Sequence, residues 1–177
     1  MSKNVIKKEF YVAEVYNIVS YYNAIKNDES KKGKFSELTP KTYFALKRNI
    51  ANLVPVAKEF EDLRNEFAEK LKNDFFMNEE KSEECAVPKK DEHGEVMFDE
   101  DGNQMTEMGR KVKDEYFNEF IEAQNELDRK LQEVLMEKNE YQIHVVDLFD
   151  ELERLPEDTM IDNDDIDILT FMDRGDE

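Results

Sequence analysis

Cysteine, histidine and tryptophan are nearly missing from this sequence, which holds one Cys, two His and no Trp in 177 residues. One Cys cannot build a disulfide framework, and it fits a reducing cytosol. It lies in Glu83-Glu84-Cys85, where neighbouring negative charge disfavours the thiolate, so a nucleophilic role is not expected. A structural zinc site needs four Cys or His ligands; one Cys and two His cannot supply them. His144 sits in an apolar segment and reads as a partly buried strand residue, and His93 precedes Gly94 in a turn. Glycine and proline are also scarce, at five and four residues. Isolated glycines make no phosphate-cradling loop, and so few turn formers argue against a many-stranded sandwich. The longest unbroken apolar runs span a few residues, so no membrane span is expected, and no basic-then-apolar leader opens the chain.

Acidic charge is what the chain has in excess, and it is unevenly placed. Residues 1–77 carry 14 basic and 11 acidic groups, but residues 78–107 carry 3 against 11 and residues 147–177 carry 2 against 13. These two stretches hold a charge equal to the whole net of −19. A field of one sign repels nucleic acid backbones and attracts basic protein surfaces. Acidic ends also make an anionic lipid surface a poor partner.

Apolar spacing supplies the fold. Asn4 to Val12 mixes β-branched and charged residues and predicts a short strand. Val15, Ile18, Val19, Tyr22 and Ile25 recur at three- and four-residue steps and predict a helix from about Ala13 to Ile25. Residues 27–34 read as a polar, flexible turn. Thr39-Pro40 is a helix start, with Thr as cap and Pro at the first helical position. Leu46, Ile50, Leu53, Ala57, Phe60, Leu63, Phe67, Leu71 and Phe75 then form a coiled-coil-like seam. Pro55 inside it predicts a bend near Ile50–Ala51, and the continuing stripe predicts one helix instead of two. A second long helix is expected from near Gly109, through Val112, Tyr116, Phe120, Ala123, Leu127, Leu131 and Val134. Between the helices, His93-Gly94 and Asp101-Gly102 flank Glu95-Val96-Met97-Phe98 and predict a small β-hairpin within an otherwise irregular acidic loop. Residues 142–146 are β-prone and can pair with the N-terminal strand. Leu148, Phe149, Leu152 and Leu155 predict a short amphipathic helix ended by Pro156.

The expected fold is therefore mainly α: a long antiparallel helical hairpin, coiled-coil-like, with an additional N-terminal helix, a small β element and an acidic C-terminal segment. Residues 1–155 form the hairpin domain with an acidic loop at 78–108. Residues 156–177 form the C-terminal segment, whose Ile161, Ile166, Ile168, Leu169, Phe171 and Met172 would be wasted in a solvated tail and argue that it docks. No internal repeat stands out.

Candidate chemistry is thin. Calcium loops need Gly at the sixth position and Glu at the twelfth. Counted from Asp99, Gly102 is fourth and the twelfth residue is Arg110; counted from Asp162, the sixth is Asp167. Both fail, and no metal or other cofactor is expected. The many acids fall in solvated runs, with no apolar pocket and no named base or electrophile among them, so an enzyme is not expected. Phe10, Tyr11, Tyr16, Tyr21 and Tyr22, interleaved with Lys26, Lys31, Lys32, Lys34, Lys41, Lys47 and Arg48, resemble a single-stranded nucleic acid platform. The overall field opposes that reading, and packing of Tyr22, Tyr43 and Phe44 in the core is the simpler one.

A helix around Asn17–Ile25, a basic Lys31–Lys34 turn and a long helix opening at Thr39-Pro40 come first. The pair Asp91-Glu92-His93-Gly94-Glu95 and Asp99-Glu100-Asp101-Gly102-Asn103, a second long helix and a β-prone Ile143–Val146 follow. Together, over residues 5–155, they resemble a family of small tailed-bacteriophage proteins built on a long helical hairpin. That resemblance implies expression in an infected bacterial cytoplasm and brings no catalytic residue with it. The segment after Pro156 has no counterpart in the family.

Three functional readings follow. In the first, the chain inhibits a host nucleic-acid-binding complex as anti-CRISPR proteins do. Asp158, Asp162, Asp164, Asp165 and Asp167, with Glu95, Asp99, Glu100 and Asp101, stand in for phosphates before an arginine-lined channel. Its partner is then a basic host protein or nucleoprotein complex, without direct nucleic acid or membrane contact. In the second, the chain is a phage structural or assembly protein that works through helical contacts, a homo-oligomer included. In the third, the acidity only maintains solubility.

Overall fold

A computed structural model describes residues 4–175 except 32, 92 and 100. The chain is mainly helical, 57% helix and 20% strand, with its strands in two small sheets. Two compact units share it: residues 1–62 with 132–177, and residues 63–131.

The first unit starts with strand β1 (Val5–Tyr11), which runs straight into helix α1 (Val12–Asn27). β1 pairs antiparallel with β4 (Lys138–His144), Val5 opposite His144 and Tyr11 opposite Lys138. The pairing expected from the two β-prone segments is thus present, and it begins earlier in β4 than residue 142. Its register sets Glu9 directly opposite Glu140, a like-charge contact that is unfavourable alone. Two lysines offset it: Lys7 Nζ lies 2.6 Å from Glu140 and Lys138 Nζ lies 2.8 Å from Glu9.

Helix α2 (Pro40–Leu71) runs unbroken through Pro55 and continues as one π-helical turn, Lys72–Phe76. The first part of its predicted seam is buried, at Leu46, Ile50, Leu53, Ala57 and Phe60, whereas Leu63, Phe67 and Leu71 are half-buried; α1 contributes Val15, Ile18, Val19 and Ile25 to the core that holds Leu46, Ile50, Leu53 and Ala57. Inside the helix sits a fully buried Asn49. Its amide donates to His144 O (2.9 Å) and accepts from His144 N (2.8 Å), so one side chain satisfies the backbone of β4 where no strand does. After β4, Val146 makes a parallel bridge with Asp173. Helices α4 (Leu148–Leu152) and α5 (Asn163–Leu169) lie between these two points in sequence. Ile161, Leu169, Phe171 and Met172 are buried in the core cluster with α1 and α2. In α4 only part of the expected apolar face is used: Leu148 is buried and Phe149 is 70% exposed.

The second unit departs most from expectation. The segment read as an irregular loop with a minor hairpin carries strands β2 (Ser82–Pro88) and β3 (Thr106–Val112), antiparallel over seven pairs. The second long helix therefore does not begin near Gly109. It begins at Phe117 (α3, Phe117–Leu135), after a short 3-10 turn at Asp114–Tyr116. Val112, expected on the helical stripe, instead ends a strand opposite Ser82. Gly109 fits the ladder: it faces Cys85, and a Cβ there would stand 2.6 Å from Val87 Cγ2. Beneath the ladder Phe120 makes edge-on contacts with Phe75 (5.3 Å) and Phe76 (5.5 Å), and Lys81 Nζ lies 4.7 Å above the Phe75 ring.

Candidate binding surfaces

The acids of the C-terminal segment divide into internal and external groups. Asp162 caps α5 by accepting from Asp165 N (3.1 Å), and Asp165 returns the contact by accepting from Asp162 N (2.8 Å). This reciprocal box uses one oxygen of each carboxylate at a helix N-terminus, where negative charge is favoured. Lys34 Nζ then bridges the two, 2.5 Å from Asp165 and 2.7 Å from Asp162, and the Tyr21 hydroxyl donates to Asp165 at 2.9 Å. Lys34 is only 3% exposed and Asp165 is sealed.

The ionisation behaviour follows from this packing. Burial alone would lower the Lys34 ammonium, but hydrogen bonds to Asp162 and Asp165 outweigh it and leave the group raised. The Lys34 hydrogen bond, helped by Asp165 N–H, lowers Asp162 to about 2. Burial, then the Asp165 hydrogen bond, raises Tyr21 to about 12.

Other carboxylates of the same unit are equally committed. Glu151 is buried and accepts from Thr39 N, from Thr39 Oγ1 (2.7 Å) and from Thr42 Oγ1 (2.6 Å). The anion thus occupies the N-terminus of α2, while the capping contact expected of Thr39 itself, from Thr42 N, is long at 3.5 Å. Glu37 accepts from Thr159 Oγ1 (2.5 Å) and Met160 N (2.8 Å), and Asp173 accepts from Leu148 N (3.0 Å).

The structure therefore corrects the expected partner surface. Asp165 cannot reach a partner, because it is sealed against Lys34 and Tyr21. Asp162 is 58% exposed at its side chain but bound to Lys34. Asp158, Asp164 and Asp167 remain exposed. Lys34, read as part of a flexible basic turn, is the cation that pins α5. The sequence carries its signal in Asp162-x-x-Asp165 before an apolar pair, a capping box whose inward acid needs a counter-charge.

The acids between β2 and β3 behave differently. Asp91 Oδ1 accepts from His93 N (2.8 Å) and Glu95 N (2.9 Å); Asp99 Oδ1 accepts from Asp101 N (3.0 Å) and Asn103 N (2.8 Å). Gly94 and Gly102 follow at φ +83° and +81°, a conformation that only glycine takes without strain. These are the same turn made twice, eight residues apart. The sequence repeats accordingly, Lys89-Lys90-Asp91-Glu92-His93-Gly94-Glu95-Val96 and then Met97-Phe98-Asp99-Glu100-Asp101-Gly102-Asn103-Gln104. This internal repeat is faint in the sequence, because only Asp, Glu and Gly recur, at the first, second and fourth turn positions. Short bridges close each turn, Lys90 with Val96 and Phe98 with Gln104.

At the base the backbone closes on itself. Lys89 N donates to Met105 O, Met105 N to Met97 O and Met97 N to Lys89 O, each at 2.9 Å. Three hairpins thus meet in a ring of three hydrogen bonds. Glu95, Asp99 and Asp101 are exposed there, and Glu100 lies outside the described residues. Hydrogen bonds from Asn103, backbone first and then side chain, hold the Asp99 carboxyl below its usual range. With its Oδ1 consumed by two amides, Asp99 shapes the turn, while Glu95 and Asp101 project beside it.

No cluster of three His, Cys, Asp or Glu among the described residues is arranged to hold a metal ion. None of the described helices is long and apolar enough to cross a membrane. No protein-family model, curated protein or solved structure matches the chain.

Proposed function

We propose that the chain is a non-enzymatic acidic binding protein of bacteriophage type that works in an infected bacterial cytoplasm. In this reading it inhibits a host nucleic-acid-binding complex by offering carboxylates where a nucleic acid would offer phosphates. The observation that carries it is the doubled turn of residues 91–103. Rigid backbone hydrogen bonding fixes two like turns, and Glu95 and Asp101 stand exposed on them. Arginine forks donate to carboxylate and phosphate with the same geometry. Asp158, Asp164 and Asp167 add a second exposed group. The scaffold in this reading is an antiparallel helical hairpin. Two observations support that: Phe75 meets Phe120, and Glu126, six residues later, adds to the rise that the Asp74 hydrogen bond causes at Lys70, five residues before Phe75.

The test is displacement of DNA from an arginine-rich host complex, measured against salt. The five-fold variant Glu95→Gln, Asp101→Asn, Asp158→Asn, Asp164→Asn, Asp167→Asn touches no internal carboxylate and should lose inhibition. Unchanged inhibition sinks the proposal. Neutralising Asp162 and Asp165 as well would confuse binding with unfolding.

A second reading, structural or assembly protein, draws on exposed Phe98, Met108 and Phe117 in the second unit. A homo-oligomer that persists at high salt in light scattering would favour it.

A further inference from the structure

Lys7, Lys31, Lys34, Lys70, Lys81, Lys111, Lys130 and Lys138 each pair with a carboxylate. Lys41 and Arg48 pair with no carboxylate among the described residues. Both line the same groove of the first unit, about 420 Å³ in volume. The spacing 41, 44, 48 sets Lys41, Phe44 and Arg48 along one face of α2, and Phe44 is 61% exposed there. Across from them the groove is closed by Val5, His144 and Val145. Phe44 was expected in the core; its ring instead borders this cavity.

The combination is specific in kind. An apolar floor and an open aromatic ring suit a planar group, which stacks or meets the ring edge-on. Two uncommitted cations, one a planar guanidinium, suit an anion. The N-terminus of α2 cannot supply that recognition, because Glu151 already occupies it, so the side chains must. A volume of this size lies within the ~300–1,000 Å³ of small-molecule sites. The net charge of −19 opposes a long polyanion, but beyond a screening length of about 8 Å distant acids weigh little on a compact one.

We propose that this groove binds a small molecule joining one planar ring to one anionic group, a mononucleotide or an aromatic phosphate. Binding to the full chain is read by amide chemical-shift titration with AMP, phenyl phosphate, adenosine and inorganic phosphate. AMP and phenyl phosphate give saturable shifts at Ala45, His144 and Val145, and adenosine and inorganic phosphate bind about ten-fold more weakly or worse, each lacking one half of the chemistry. Tighter AMP assigns a nucleotide; equal affinities assign the aromatic phosphate chemistry alone. Phe44→Ser and Arg48→Glu, both at exposed positions, weaken the ringed anions by about ten-fold while leaving the remaining spectrum in place. The proposal is overturned if neither ringed anion saturates, if binding survives both substitutions, or if inorganic phosphate binds as tightly as phenyl phosphate.

Discussion

Asp165 and Asp101 are the same residue type in the two acidic stretches, and they do opposite things. Asp165 is sealed, with Lys34, Tyr21 and its own helix cap consuming its oxygens. Asp101 is exposed on a turn that another carboxylate, Asp99, has already organised. What separates them is the supply of donors from elsewhere in the chain. The acids of residues 147–177 meet Tyr21, Lys34, Thr39 and Thr42, residues remote in sequence, whereas the doubled turn closes on donors within four residues. Charge density therefore does not mark a partner surface. The availability of non-local donors decides whether an acid holds the fold or faces outward.

Substitutions and changes of pH sharpen that contrast. The largest effect belongs to Lys34→Ala, which strands a buried carboxylate and should cost about 3–5 kcal/mol in urea unfolding. A loss under 1 kcal/mol would mean that Asp165 is solvated in solution. Glu151→Ala leaves two hydroxyls and an amide at the start of α2 without their acceptor and should cost about 1–3 kcal/mol. Gly109→Ala should cost a similar amount, about 1–3 kcal/mol, through its clash with the stiff Val87 side chain, and hydrogen exchange should rise in β2 and β3.

pH separates the two regions further. Asp162 falls from 3.8 to about 2 on folding, so its contribution is present above pH 3.8 and is lost as pH drops toward 2. Tyr21 rises from 10.0 to about 12, so its contribution is present below pH 10 and is lost as pH climbs toward 12. Unfolding midpoints should decline in both windows, and Tyr21→Phe should shrink the alkaline decline. An unchanged alkaline limb would remove Tyr21 from the lock. Smallest of all, Glu95→Gln with Asp101→Asn should move stability by no more than about 0.5 kcal/mol, because neither side chain serves the fold. A larger loss would place those acids with Asp165 instead.

Local chemistry was legible in the sequence and long-range chemistry was not. The α2 seam, its opening at Thr39-Pro40 and the pairing of the two β-prone ends all follow from spacing and turn residues. The buried apolar residues after Pro156 were visible as apolar residues too numerous for a solvated tail. The length of the β2–β3 ladder was hidden, since Ser82-Glu83-Glu84 and Thr106-Glu107 show no alternation of apolar and polar groups. Lys34 and Glu151 were hidden for another reason: a buried ion is recognisable only once its partner is placed. Asn49 shows the same limit, because a polar residue inside an apolar stripe says that something must be bonded, not what.

The ring of amides at Lys89, Met97 and Met105 has a consequence for how this protein can change. Because the junction is satisfied entirely by main chain, neither excursion's side chains are needed to keep the other in place. Lengthening or rewriting one lobe leaves the crossing intact, much as a three-way pipe fitting accepts different hoses. Such an arrangement lets the sequence of the periphery change while the fold stays under unrelated constraints.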